Sequence, residues 1–230
     1  MIQGILFDKD GTLFDFNATW GAWSRRLLAS EAGGDEDVLA RLCDVLGYDM
    51  ENDQFMAGSI VVAETVDVIA DSILSVLPRL DKASLINRMN TAAATVPQVE
   101  VTPLYPCLQG LRDMGLALGV ATNDGEAPAR AHLEKAGVTD LFDFVAGSDS
   151  GYGGKPATGQ MRAFCQATGL AATNCLMVGD SLHDLAAGKA AGMRTVGVLT
   201  GPAGADELSG HADVVLGSIA ELSAWIKNTT

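Results

Sequence analysis

The sequence predicts an α/β protein, a doubly wound parallel-sheet (Rossmann-like) core with an inserted all-helical unit. Three observations predict it. Uninterrupted apolar runs at residues 5–7, 117–121, 144–146, 175–178 and 195–198 suit parallel strands covered on both faces. Each of the last four precedes Gly or Asp and then a helical pattern, the alternation of an α/β fold. Between the first run and the second, residues 17–100 hold no convincing strand and read as helices.

Taken in order, the first strand, Ile5-Leu6-Phe7, runs straight into Asp8-Lys9-Asp10-Gly11-Thr12. Helices are expected at 18–30, 36–46, 59–77 and 82–96, with breaks at Gly33-Gly34, at 52–58 and at Pro78. Pro97 and Pro103 mark the return crossing. Residues 1–15 and 101–230 are therefore expected to form the α/β core and residues 16–100 a helical cap. Open α/β sheets bind ligands beyond the carboxyl ends of their strands, so a unit inserted after the first strand would lie over that crevice as a lid.

Composition narrows the function classes. With 48% hydrophobic residues among 230, the chain can build a core and is not disordered. Fifteen basic against 29 acidic residues leave a net charge of -14, which disfavours nucleic acid as a partner. Mean hydropathy is +0.20, yet no run of about 18 uncharged apolar residues exists, and Glu64 and Asp67 interrupt the most apolar stretch. No membrane partner is expected. The N-terminus lacks a basic segment followed by a long apolar one, so no signal peptide is expected and the location expected is cytoplasmic. Cys43, Cys107, Cys165 and Cys175 are widely spaced and read as buried thiols of a reducing compartment. His132, His183 and His211 are scattered, which argues against zinc, and His183 reads as a helix-surface residue.

Four polar marks carry the chemistry. In the first, alternation sends Asp8 and Asp10 to one side of an extended segment. Two carboxylates there repel by roughly 4 kcal/mol at about 4 Å, so a divalent cation or a retained proton must compensate. An Asx turn with Gly11 at an unusual φ is the structural alternative. The second mark, Thr122-Asn123-Asp124, offers a hydroxyl and free N–H groups to an anionic oxygen, or a plain helix cap. In the third, Gly153-Gly154-Lys155-Pro156, Pro156 is expected at the first position of a helix running to Ala167. Lys155 would then stand at the positive end of that helix, or serve only as a solvated turn residue. The fourth is Gly179-Asp180-Ser181-Leu182-His183-Asp184, where Asp180 could bind metal, or Asp180 or Ser181 could cap a helix whose first turn holds Asp184. All four follow strands of one sheet and can converge. That gathers Asp8, Asp10, Asp180 and Asp184 near one lysine, and an all-oxygen donor set favours Mg²⁺.

This set resembles the haloacid dehalogenase superfamily, specifically its phosphoglycolate phosphatase-like branch with a helical cap. DKDGTLFD, ATND, GGKP and VGDSLHD match its four motifs in order and interval. Asp15 is followed by Phe16, where members of this type often carry Asp-Ser. The resemblance implies a phosphatase in which Asp8 takes the phosphoryl group and Asp10 is general acid and then base. Thr122 and Lys155 would hold phosphoryl oxygens, with Gly11, Thr12 and Asn123 around the substrate. Mg²⁺ would bind Asp8, the Asp10 carbonyl and Asp180, with Asp184 and Ser181 in support. The partner implied is a small phosphorylated metabolite, with 2-phosphoglycolate leading and nucleotide or sugar phosphates as alternatives, acted on by a monomer or homodimer.

Other readings meet specific obstacles. A dehalogenase needs no carboxylate at Asp10, a phosphonatase needs a cap lysine placed otherwise than Lys82, and a mutase needs a histidine before His132. A receiver-like phospho-accepting domain would lack the helical insertion, and the intact motif residues argue against a catalytically silent binding protein on this fold. Residues 17–100 hold 13 acids and 6 bases, a poor docking surface for polyanions. The turn Phe55-Met56-Ala57-Gly58-Ser59 is the candidate reader of the leaving group through Gly58 and Ser59, or else a connector with Ser59 as N-cap.

Overall fold

Short apolar runs become strands where both of their faces are covered, and polar residues at their carboxyl ends stop them. The computed structural model of the chain describes residues 1–56 and 58–229. It opens with β1 (Gly4–Phe7), then α1 (Phe16–Ala32), α2 (Glu36–Leu46), the short strands β2 (Tyr48–Asp49) and β3 (Gln54–Phe55), α3 (Ile60–Ala63), α4 (Val66–Val76) and α5 (Lys82–Ala93). Strands and helices then alternate: α6 (Leu104–Asp113), β4 (Ala117–Ala121), α7 (Glu126–Lys135), β5 (Phe144–Ala146), α8 (Gly159–Thr168) and β6 (Cys175–Gly179). The chain closes with α9 (Leu182–Ala190), β7 (Arg194–Val198), α10 (Ala205–Leu208), β8 (Val214–Leu216) and α11 (Leu222–Thr229).

Six strands form one parallel sheet in the order β5-β4-β1-β6-β7-β8. Its centre is β1, buried along its length. Ile5 and Phe7 join the core on one face of the sheet and Leu6 the core on the other, as the two-residue period requires. The helices between β1 and α6 enclose a separate hydrophobic cluster, with Trp20, Leu28, Tyr48, Ile73 and Met89 among its buried members. Two paired segments join this helical unit to the sheet. The Asp15 amide donates to the Val99 carbonyl (2.8 Å) and the Val101 amide to that of Leu13 (3.1 Å). Among the described residues, no helix is long and apolar enough to cross a membrane.

Several expectations are corrected. The helix expected over 59–77 is two helices, because Glu64 turns extended (φ -83°, ψ 165°) and Thr65 restarts the chain as an N-cap. The stretch read as strandless holds the β2–β3 hairpin, whose turn is held by Asp49 accepting from the Glu51 (2.9 Å) and Asn52 (3.1 Å) amides. Pro156 does not start a helix: α8 begins at Gly159, after a turn that contains the cis Lys155–Pro156 bond. β8 adds at the sheet edge a sixth strand beyond the five apolar runs read from the sequence. The four cysteines are free thiols, but only Cys175 is fully buried.

Candidate active site

Parallel register brings three of the marks together. Phe7 pairs with Val120 on one side and Val178 on the other, so the residues after each strand emerge side by side. Asp8 continues the ladder, its amide donating to Val178 (2.8 Å), and Thr122 follows β4 while Asp180 follows β6. Neighbouring strands lie about 4.8 Å apart, a spacing that a shared ion or phosphoryl group can bridge. Carboxylate oxygens of Asp8, Asp180 and Asp184 lie within 4.8 Å of one another, and all three residues are buried.

Each of these groups is held from behind. Thr12 Oγ1 donates to Asp180 Oδ1 (3.1 Å). Gly11 (φ +83°) and Gly201 press against the same carboxylate, and a Cβ at either would stand under 3.0 Å from it. Gly11 and Thr12 therefore brace Asp180 and do not line the crevice. Ser181 caps α9: its hydroxyl accepts from the Asp184 amide (3.4 Å) and donates to Asp184 Oδ2 (2.7 Å). Gly179 leaves the room that Asp184 occupies.

Lys155 reaches in from the β5–α8 connection and pairs with Asp8 and with Asp184 Oδ1 (2.6 Å). The helix start that was to place it lies farther along, and Asn123 holds it instead. Asn123 Oδ1 accepts from the Lys155 amide (2.7 Å), while its Nδ2 donates to the carbonyls of Lys155 (2.9 Å) and Ala63 (2.7 Å). The expected substrate ligand thus has its amide committed to the protein. Neither Thr122 nor Asn123 caps α7, whose N-cap is Gly125.

Asp10 lines the same crevice but pairs with Lys9 Nζ (2.7 Å). Lys9 is fully buried, with Asp124 Oδ2 at 3.2 Å, His132 Nδ1 at 3.1 Å and the Trp20 ring at 5.3 Å. His132 Nε2 lies 2.8 Å from the Ala93 carbonyl at the end of α5, so this network ties the sheet to the helical unit. The sequence reading missed Lys9, Asp124 and His132 and assumed one lysine where two are present. The signal was available, because a lysine at the end of a strand covered on both faces cannot reach water and needs buried partners.

Burial governs the electrostatics. Desolvation pushes the Asp8 carboxyl up to about 7, with Lys155 opposing and Asp184 and Asp10 adding to the rise. Asp180 is raised well above its usual range by burial and then by Asp8 and Asp184. Asp124 is raised to about 6, burial again leading and Lys9 opposing. Burial lowers Lys155 and Lys9, but their carboxylate partners outweigh it and both lie above the usual lysine value. His132 falls to about 4 through burial and the charge of Lys9. Five carboxyl groups thus share two lysines. That excess, with hard oxygen donors converging from Asp8, Asp180 and Asp184, fits a divalent cation of the Mg²⁺ type.

The helical unit supplies the opposite wall of the crevice. Phe16, Trp20 and Trp23 come from α1, Val61–Ala63 from α3, and Met89, Asn90 and Ala93 from α5. His183, expected on the helix surface, lines the crevice with Nδ1 at 3.3 Å from the Ala63 carbonyl. In the turn at 55–59, Gly58 is exposed, Ser59 donates to the Leu46 carbonyl (2.6 Å) and caps α3, and neither of the two lines the crevice. Ala57 lies outside the described residues.

Comparison with known proteins agrees with this geometry. The family model for haloacid dehalogenase-like hydrolases matches residues 2–192. The chain is 39% identical over 119 residues to a phosphoglycolate phosphatase of Rhodospirillum rubrum, a match covering 52% of this chain and 49% of that one. The chain thus spans about half the length of the first curated relatives it matches. A phosphoglycolate phosphatase of Xanthomonas campestris is 29% identical over 97% of both chains. Among solved structures, the β-phosphoglucomutase of Clostridium difficile superposes with a TM-score of 0.71 over 99% of this chain and 96% of that one. At 19% identity, that likeness speaks for the fold alone.

Proposed function

The chain belongs to the haloacid dehalogenase-like hydrolase family, and from that premise we propose that it is a Mg²⁺-dependent phosphatase of a small phosphomonoester. Residues 16–100 act as a cap over a core of residues 1–15 and 101–230, a reading supported by the separate helical cluster and the paired crossing segments. The observation that carries the proposal is the convergence of buried Asp8, Asp180 and Asp184 on Lys155 at the carboxyl ends of adjacent strands.

Asp8 is the nucleophile. Its carboxylate attacks phosphorus, the ester P–O bond breaks, and an aspartyl-phosphate and a free alcohol result. Asp10 donates the proton to the leaving alkoxide and then takes one from the water that hydrolyses the acyl phosphate. Thr122 and Lys155 orient the phosphoryl oxygens, and Lys155 balances part of their charge. Asp8, the Asp10 carbonyl and Asp180 would hold Mg²⁺, with Asp184 behind them. When bound, the ion neutralises charge on the transferring group. The names of the relatives make 2-phosphoglycolate the first ester to assay.

Incubation with p-nitrophenyl phosphate tests the reading. Turnover should need Mg²⁺, stop with EDTA and vanish in Asp8→Asn. Turnover that survives either treatment overturns it.

A further inference from the structure

The cap wall of the crevice contrasts with its floor. Trp20, Trp23, Val62, Val66, Ile69 and Met89 give it an apolar and partly aromatic surface. Among the described residues lining the crevice there is no arginine, and the sole lysine, Lys155, already pairs with Asp8 and Asp184 on the floor. The charge that the cap does present is negative. Glu64 sits half-buried at the extended break between α3 and α4, and its carboxylate has no cationic partner among the described residues.

We infer that the leaving group accepted here is an uncharged alcohol with an apolar or aromatic body, and that Glu64 turns away esters carrying a carboxylate. The inference rests on the phosphatase reading above and sharpens it. A carboxylate carried beneath this cap would lose its water, meet no cation and face Glu64. It thus sets the crevice against the substrate that the relatives' names suggest.

The test compares kcat/KM with Mg²⁺ for 2-phosphoglycolate, its neutral isostere 2-phosphoglycolamide and phenyl phosphate. The amide should exceed the acid at least tenfold. Glu64→Gln, a change at a half-exposed site that leaves folding intact, should narrow that ratio severalfold. Phenyl phosphate, uncharged and aromatic beyond its phosphate, should likewise exceed the acid. A preference for 2-phosphoglycolate over its amide overturns the inference while leaving the phosphatase reading standing. Failure to turn over any ester, p-nitrophenyl phosphate included, overturns the phosphatase reading and this inference with it.

Discussion

Replacing Gly201 with alanine should loosen the metal site without touching a ligand. Gly201 is not in the left-handed region, so alanine meets no backbone penalty there, and the glycine is required only for space. A Cβ built on it would stand 2.5 Å from the Asp180 Cβ and closer still to the carboxylate. Ordinary contact begins at 3.4 Å and the nearer carboxylate oxygen would stand at 1.8 Å, so that oxygen must retreat by roughly 1.6 Å. The carboxylate cannot slide freely, because Gly11 packs on it and Thr12 holds its other oxygen. A displacement of that size exceeds the tolerance of about 0.2 Å in metal–ligand distances. Disturbing the groups that orient a ligand costs about 10–100-fold in metal affinity, and the overpacking itself about 1–3 kcal/mol of stability. Thermal midpoints measured against Mg²⁺ concentration would show both effects, as a lower midpoint in EDTA and a titration displaced to at least tenfold higher Mg²⁺. Gly204→Ala is the control, since nothing lies within 4 Å of a Cβ there. If the Mg²⁺ titration of Gly201→Ala overlays that of the wild type, Asp180 is not a ligand held in this cradle.

Three further outcomes are expected. Lys155→Met strands Asp8 and Asp184 without their buried partner, which should cost about 3–5 kcal/mol in urea unfolding with EDTA and be partly recovered with Mg²⁺; equal stability to wild type in EDTA would contradict this. Asp10→Asn should keep the wild-type Mg²⁺ titration of the thermal midpoint but lose most turnover, and near-normal turnover would remove Asp10 from its acid–base role. His132 is held at about 4 against 6.5 when unfolded, so between those values the unfolded chain binds a proton that the folded chain refuses and acid destabilises the fold. Between pH 7.5 and 5 that loss is about 2 kcal/mol, and His132→Gln should remove it; identical pH slopes for the two proteins would refute the assignment.

What could be read in advance follows from how local each determinant is. Asp8, Thr122 and Asp180 were legible because parallel register aligns the ends of strands whose apolar runs are visible one by one. Asp184 and Ser181 were legible as a helix start within four residues. The place of Lys155 was foreseen for the wrong reason, since the side chain of Asn123, 32 residues away, holds it rather than a helix end. Lys9 was passed over because its partners Asp124 and His132 come from a strand end and a helix more than a hundred residues away. The cap wall was misplaced for a similar reason. The 59–77 stretch has continuous helical periodicity, and the carbonyl freed at its break is met by Asn123 and His183, which local pattern does not place.

The central place of β1 bears on how the chain is made. Gly4 finds its neighbours only at Ala117 and Cys175. At about 5–20 residues per second, a ribosome would need roughly 10–30 s to go from the first to the last of these. Until the first of them is made, Ile5, Leu6 and Phe7 have no strand to pair with, and until the second, one of their edges stays open. The Asp8-Lys9-Asp10 triplet directly behind them is the kind of charged gatekeeper that discourages such segments from pairing with one another. Charges proposed for catalysis in the finished protein would first keep its unfinished copies apart.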